Sequence, residues 1–250
     1  MANSEAPSHT LPGGSSVRPS VVDRASWQAQ LGELLVREKA HTREGDSIAA
    51  ARRRLPMVQV DPATPLTGPN GQVTLLDTFE GRRQLYVYFH MWHAGLPAEQ
   101  QCEGCTFFNG QVRELAYLHA RDVTYATFCE GPYGESVRYR DFMGWDVPWY
   151  SAQQSAETLL AGRWFGMHVC YLRDGGDVFE TFWGSGRGTE VMAPSYGILD
   201  STVFGRQERW EDSPPGWPQP FEMNGDQFRN DGRPSAQWSR LAEGRSDRLS

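Results

Sequence analysis

The sequence predicts an α/β protein in which a central mixed sheet is flanked by helices. Two runs, residues 84–91 and 123–129, are apolar on both faces, which is typical of central strands in a parallel sheet. A helical pattern follows each run. Two further strand-like runs flank Asp174-Gly175-Gly176-Asp177, a strong signal for a hairpin turn. The order strand, helix, strand, helix, hairpin, helix is the βαβ plus ββα order of a thioredoxin-like domain.

Two segments precede this domain, which we assign to residues 59–211. Residues 1–22 are rich in Ser, Pro, Gly and Thr, and they are predicted to form a disordered tail. Residues 23–58 are predicted to form a helical extension, in which Ser26 caps a first helix and Gly45 separates it from a second. The first helix carries one apolar stripe made of Trp27, Leu31, Leu34 and Leu35. This stripe must cover apolar surface, either on the domain or on a second copy of it.

The remaining elements follow from local patterns. A short strand is predicted at 73–76, a helix at 135–143, a short strand within 144–150, and a helix at 188–199 that bends at Pro194. The helix that begins near Cys105 carries Phe108, Val112, Leu115 and Leu118 on one side. Residues 212–250 are dense in Pro, Gly, Trp and charge, so they are predicted to form an irregular C-terminal arm.

Composition restricts the class of protein. The chain has 250 residues and a formal net charge of −7, and an acidic chain is a poor candidate for binding nucleic acid or an anionic membrane. No run approaches the roughly 18 apolar residues of a membrane helix, and the N-terminus lacks the apolar core of a signal peptide. Four cysteines do not indicate a disulfide-stapled secreted scaffold. We therefore expect a soluble cytoplasmic protein.

Cys102-Glu103-Gly104-Cys105 is the motif that carries the predicted chemistry. A strand, a CxxC motif and a helix in this order form the geometry of a thiol–disulfide exchange site. A helix start favours a thiolate on Cys102, and Cys105 lies one turn further on, close enough to form a disulfide. The negative charge of Glu103 is expected to oppose thiolate formation, which favours a reducing or slow site.

Several other residues are candidates for the surroundings of the dithiol. Trp92 and His93 end the strand that leads to Cys102, and Met167 and His168 begin the strand expected to face it. These four residues are the predicted substrate-binding set. A dithiol with His168 is also a set of ligands for copper or zinc, whereas a histidine near a strand end more often serves packing. Cys129 and Cys170 lie within apolar strands and are expected to be buried and inert.

A resemblance to a known family rests on short stretches that run in family order from about residue 27 to 211. They are Leu34-Leu35-Val36-Arg37-Glu38-Lys39, Arg52-Arg53-Arg54-Leu55-Pro56-Met57, Phe79-Glu80-Gly81-Arg82-Arg83-Gln84-Leu85, Cys102-Glu103-Gly104-Cys105, Met143-Gly144-Trp145, Pro148-Trp149, Tyr171-Leu172-Arg173-Asp174-Gly175, and Leu199-Asp200 with Gly205-Arg206. The chain resembles the predicted dithiol–disulfide oxidoreductases, a thioredoxin-like group classed as a domain of unknown function. The resemblance implies a thioredoxin-like fold and dithiol chemistry. Classical thioredoxins place a cis-proline beside the dithiol, where this chain has Met167 and His168.

The sequence therefore predicts a thiol–disulfide oxidoreductase in which Cys102 attacks and Cys105 resolves. Two alternatives stay open: a metal-binding or metal-delivery protein that uses Cys102, Cys105 and His168, and an interaction module with a vestigial dithiol. The Pro and Thr/Ser that precede a peroxidatic cysteine are absent before Cys102. The expected partner is a protein or small-molecule thiol or disulfide, and a homodimer is possible. No cofactor is implied, and no four-ligand metal spacing is visible.

Overall fold

A computed structural model describes residues 17–230 and 232–242. Most of the segment predicted as a disordered tail, residues 1–16, lies outside the described residues, as do residues 243–250 of the arm. No helix in the described part of the chain is long and apolar enough to span a membrane.

The helices and strands have the following bounds. The α-helices of the described residues are α1 (Arg24–Arg52), α2 (Glu103–Gly110), α3 (Ala116–His119), α4 (Tyr133–Met143), α5 (Ala156–Leu160), α6 (Pro194–Asp200) and α7 (Ser235–Ala242). The strands are β1 (Val58–Val60), β2 (Pro65–Gly68), β3 (Gly71–Thr74), β4 (Gln84–His90), β5 (Val123–Cys129), β6 (Trp149–Ser151), β7 (Met167–Asp174), β8 (Asp177–Ser185), β9 (Arg229–Asn230) and β10 (Arg233–Pro234).

The main sheet is mixed and has the strand order β1-β8-β7-β4-β5-β6-β2-β3. Strand β4 lies at its centre, parallel to β5 and antiparallel to β7, and β7 forms a hairpin with β8. The unit β4–α2–β5 followed by β7–β8–α6 has the βαβ and ββα order that the sequence predicts. The protein therefore has a thioredoxin-like fold, and the predictions of two central strands and of the β7–β8 hairpin are confirmed.

The two faces of the central strand support two cores. Because side chains alternate along a strand, Val87 and Phe89 point into one core and Tyr88 into the other. The first core holds mostly aliphatic and phenylalanine side chains, including Leu85 and Phe128. The second core contains Cys105 together with several tyrosine and tryptophan rings. Helix α2 covers this second, aromatic face, so the dithiol lies over buried aromatic rings.

The N-terminal extension differs from its prediction. It forms the single helix α1, and its N-cap is Asp23, whose carboxylate accepts a hydrogen bond from the backbone N–H of Ser26 at 2.9 Å. Gly45 lies inside the helix and does not interrupt it. A glycine in a helix interior costs about 1 kcal/mol relative to alanine, which one position in a long helix can absorb. The prediction of two helices is therefore wrong.

The predicted apolar stripe on α1 is left largely uncovered by the described part of the chain. The side chains of Trp27 and Leu34 are each 46% exposed, that of Leu35 is 42% exposed, and no residue of the helix is buried. Of the two coverings that the sequence predicts, the domain itself does not supply one. A second copy stays a prediction.

Three other segments also differ from their predictions. The helix that carries the motif ends at Gly110, so Val112, Leu115 and Leu118 do not continue its apolar side. The helix ends there because glycine is disfavoured in a helix interior. The chain forms a separate short helix, α3, further on. The proline- and glycine-rich residues 62–71 predict a connecting loop, but they contain β2. This strand begins at Pro65, and proline is tolerated at the first residue of a strand. The C-terminal arm, which is predicted to be irregular, contains the short strands β9 and β10 and the helix α7.

Candidate functional site

Cys102 lies at the N-cap of α2, directly before the first helical residue. Its Sγ atom accepts a hydrogen bond from the backbone N–H of Cys105 at 3.4 Å. Both cysteines are free thiols; Cys102 is half-buried and Cys105 is buried. The free N–H groups and the positive end of the helix dipole therefore point at the outer sulfur.

The surroundings of Cys102 favour its thiolate. The hydrogen bond from the Cys105 side chain has the largest effect on the pKa of Cys102, and it lowers the value. Burial opposes this, whereas the backbone N–H groups of Cys105 and Gly104 and the charge of His93 lower the pKa further. The net result is a pKa of about 7, so a large share of Cys102 is ionised near neutral pH.

Cys105 has the opposite character. Burial raises the pKa of Cys105 well above its usual range, and the hydrogen bond to Cys102 raises it further. The Tyr88 side chain and the backbone N–H of Met91 are also hydrogen-bonded to the Cys105 sulfur, the latter at 3.4 Å. The inner thiol is therefore held in its protonated form while the outer one ionises.

Glu103 is paired with a residue of the C-terminal arm. The carboxylate of Glu103 receives hydrogen bonds from the Arg229 guanidinium at 2.6, 3.0 and 3.1 Å. This charge-assisted contact pairs the negative charge beside the thiolate, and the main causes of the lowered pKa of Cys102 are other groups. The prediction that Glu103 favours a reducing or slow site stays a prediction.

The chain segment that leaves β4 brings a third sulfur to the dithiol. Met91 Sδ lies 3.8 Å from Cys102 Sγ. Gly166, just before β7, faces the Met91 sulfur, since a Cβ atom added at Gly166 would lie 3.7 Å from Met91 Sδ. The backbone N–H of Gly166 also bonds the Phe89 carbonyl at 2.7 Å. Sequence reasoning placed Met91 at the end of its strand but gave no signal that its sulfur turns toward Cys102.

Of the four predicted substrate-binding residues, His93 lies at the dithiol. Its Nδ1 atom is 2.8 Å from the Gln100 carbonyl oxygen, and its ring is exposed beside Cys102. Trp92 is buried instead, with its indole against Tyr139 and the backbone of Gly131.

The other two predicted residues lie elsewhere in the sheet. Met167 is buried in the aliphatic core on the face of the sheet opposite to Tyr88. His168 pairs with Tyr88 across the sheet, and its ring stacks on Tyr86 at a centroid distance of 5.1 Å. Burial lowers the pKa of His168 to about 4. Gly166, rather than Met167 or His168, is the residue of this segment that borders the dithiol.

Two cavities meet at Cys102. Both are lined mainly by apolar surface. The larger, about 750 Å³, is the more open and also presents charged and polar side chains, whereas the smaller, about 260 Å³, is bordered by several aromatic rings. Residues that line the larger cavity include His93, Gln101, Asp226 and Arg229, and residues that line the smaller one include Tyr88, Cys105, Phe108, Gly166 and Tyr196. Met91, Cys102, Gly104 and Phe228 border both.

The C-terminal arm completes this site, which the sequence did not reveal. The Phe228 ring lies against Gly104, where an added Cβ would come within 3.1 Å of it. Phe228 also packs on Phe107 at a centroid distance of 5.3 Å. The residues of the motif and of the arm are more than a hundred positions apart, so no local pattern connects them.

Solved structures that are similar to this chain include the following two. One is a candidate thiol:disulfide interchange protein DsbE from Chlorobium tepidum, at 18% identity and a TM-score of 0.37, covering 55% of this chain and 94% of that one. The other is BsSco, a member of the Sco family of cytochrome c oxidase assembly proteins, at 14% identity and a TM-score of 0.32, covering 54% of this chain and 90% of that one.

Sequence comparison identifies the family of this chain, although no curated protein matches it. A family model described as bacterial protein of unknown function (DUF899) matches residues 16–241, which include α1, the thioredoxin-like domain and most of the arm. The chain therefore belongs to the DUF899 family of bacterial proteins of unknown function.

Proposed function

We propose that this protein is a thiol–disulfide oxidoreductase whose nucleophile is Cys102 and whose resolving thiol is Cys105. One observation carries the proposal: the outer thiol, at a helix start, has a pKa of about 7, whereas the pKa of the buried inner thiol is raised. A thiolate near neutral pH is the species that attacks a disulfide. A cytoplasmic setting, where such dithiols cycle, is part of the proposal.

The reaction consists of two exchanges. The Cys102 thiolate attacks one sulfur of a disulfide RSSR′, the S–S bond breaks, and one thiolate leaves and takes up a proton. Cys105 then gives up its proton and attacks Cys102 Sγ, which releases the second thiol and leaves a Cys102–Cys105 disulfide. The substrate gains two electrons and two protons, and the dithiol loses them. The reverse sequence oxidises a dithiol substrate.

A trapping experiment tests the division of roles. Without a resolving thiol, Cys105→Ser should accumulate a mixed disulfide on Cys102, whereas Cys102→Ser should accumulate little. The adducts are measured by mass spectrometry after incubation with 2-hydroxyethyl disulfide. Cys170→Ser is the matched control, because this thiol lies in β7 and burial raises its pKa to about 11. Adducts mapped mainly to Cys105 would contradict the assignment.

Reversibility tests the function itself. Equilibration in glutathione redox buffers should interconvert the free thiols and one Cys102–Cys105 disulfide. If alkylation finds the two thiols unlinked under every mild oxidant, the dithiol is vestigial and the interaction-module alternative is favoured.

A second candidate function, the binding of Cu(I), is favoured by the position of Met91. Soft thiolate and thioether sulfurs select Cu(I). Two sulfurs bound at about 2.3 Å in a trigonal plane lie about 4 Å apart, close to the 3.8 Å between Met91 Sδ and Cys102 Sγ. Met91 therefore replaces His168 in the ligand set of the metal-binding alternative, with Cys102 and Cys105 as the other ligands.

Competition with a chromophoric Cu(I) chelator separates the two candidates. A metal-binding role requires one equivalent of Cu(I), weaker binding in Met91→Leu, and unchanged binding in Met57→Leu, whose side chain is exposed. Equal affinities in both methionine variants would remove Met91 from the ligand set.

A further inference from the structure

We propose that the C-terminal arm makes this dithiol selective for low-molecular-weight disulfides and excludes disulfides of folded proteins. This inference rests on the proposed oxidoreductase function and specifies its substrate class. Its basis is the covering of the CxxC motif by residues 223–229 and by Gln237, which lie in the arm and outside the thioredoxin-like order of strands and helices.

The arm is held to the motif at three successive points. Gln237, fully buried in α7, donates a hydrogen bond to the Gln101 carbonyl, the residue before the first cysteine, at 3.0 Å. Arg229 pairs with Glu103 inside the motif. The Phe228 ring lies on Gly104. Because a buried hydrogen bond and an aromatic contact reinforce a half-exposed ion pair, the arm is a fixed wall beside the dithiol.

This wall divides the space in front of Cys102. Phe228 borders both cavities, with Met223 and Gln227 of the arm on the smaller one and Asp226 and Arg229 on the larger one. A disulfide that reaches Cys102 must therefore place its sulfurs between the arm and Met91. Each half of a small disulfide can occupy one cavity, and the S–S bond then spans the Cys102 sulfur.

Size favours the small substrate. Sites for small molecules usually have volumes of about 300–1,000 Å³, and the two cavities, about 750 and 260 Å³, are of that order. A disulfide in a folded protein joins two backbone segments whose Cα atoms lie about 4.4–6.8 Å apart. Both segments would have to enter beside Phe228, which the arm prevents while it stays anchored.

Single-turnover oxidation of the fully reduced protein tests the inference without an added reductant. The second-order rate of thiol loss is measured with 2-hydroxyethyl disulfide and with insulin. The rates at which dithiothreitol reduces the same two disulfides are also measured, because their ratio gives the intrinsic difference in reactivity between the disulfides. The protein should prefer the small disulfide by at least about tenfold more than dithiothreitol does. A preference equal to that of dithiothreitol, or a preference for insulin, would overturn the inference.

A variant with a loosened C-terminal arm provides a second test. Arg229→Ala/Gln237→Ala removes two of the three anchors and should shift the preference toward that of dithiothreitol. Arg37→Ala/Gln28→Ala carries the same chemical changes on the exposed helix α1 and should keep the wild-type preference. Hydrogen exchange of α7 shows whether the arm is loosened. If the arm is loosened and the variant keeps the wild-type preference, the inference is contradicted. If hydrogen exchange of α7 is unchanged in the variant, the comparison of the wild-type protein with dithiothreitol decides.

The two proposals fail in different ways. If neither disulfide oxidises the Cys102–Cys105 pair, the proposed oxidoreductase function is overturned, and the substrate class falls with it. If both disulfides react at the ratio shown by dithiothreitol, the oxidoreductase function stands and only the selectivity of the arm is lost.

Discussion

Replacing Cys105 by alanine should raise the pKa of Cys102. The Cys105 side chain supplies the hydrogen bond that lowers this pKa most, and alanine cannot replace it. Burial, which raises the pKa, and the backbone N–H groups of Cys105 and Gly104, which lower it, are expected to stay in place. The pKa should therefore move from about 7 toward the ordinary thiol value of 9.0.

A shift to the ordinary value gives the scale of the effect. At pH 7, half of a thiol with a pKa of about 7 is ionised, against about 1% of a thiol with a pKa of 9.0, a difference of about 50-fold. A thiolate of higher pKa is the better nucleophile, by about eightfold over this interval for a Brønsted coefficient of about 0.45. Alkylation of Cys102 at neutral pH should therefore slow by about sixfold for a shift of this size.

The assay is the rate of iodoacetamide alkylation across a pH series, with the product mapped by mass spectrometry to Cys102. Cys105→Ser is the matched variant, because its hydroxyl keeps a hydrogen-bond donor near the outer sulfur. In this variant, the pH at the midpoint of the alkylation profile should lie between the values for the wild type and for Cys105→Ala. A midpoint for Cys105→Ala at or below the wild-type value would refute the reasoning, since the helix start alone would then account for the acidity.

Four further outcomes are expected. Because folding lowers the pKa of Cys102, its contribution to the stability of the reduced protein should grow as pH rises from about 7 to about 9, and urea titrations of Cys102→Ser should lack this slope. Gly131→Ala should lower the free energy of unfolding by about 1–3 kcal/mol or more, because its methyl group would overlap the Trp92 ring; an unchanged urea midpoint would contradict this packing. Cys129→Ser should cost about 1–3 kcal/mol through burial of a hydroxyl, yet trap adducts in a Cys105→Ser background as before. Leu34→Glu on α1 should change the stability of one chain by no more than about 0.5 kcal/mol and weaken any self-association seen by sedimentation, whereas a core-sized loss would show that this side chain is buried.

The parts of the molecule that the sequence predicts correctly depend on local chemistry. Strands β4 and β5 are continuous apolar runs, and the turn between β7 and β8 contains two glycines between aspartates. Hydrophobic burial and turn geometry act over a few residues, so both are visible in the chain itself. The position of Cys102 at a helix start is local in the same sense, because strand, motif and helix are consecutive.

The errors and omissions have a different physical origin. Gly45 looks like a break because its cost is local, but the energy of a continuous helix is summed over all its residues. His168 lies on the expected strand, yet burial against Tyr86 orients its ring, and such packing depends on neighbours from another strand. A pattern along the chain does not contain that information.

The acidity and the accessibility of the dithiol depend on contacts between distant segments. From the sequence, Glu103 is an unpaired charge beside Cys102. In the folded protein it forms an ion pair with Arg229, which lies 126 positions further along the chain. Met91 and Phe228 reach the Cys102 sulfur and Gly104 only after the strand end and the arm have packed. The chemistry that we propose is thus encoded by two cysteines and their helix, whereas the pKa of the thiols and the space around them arise from side chains that folding brings together.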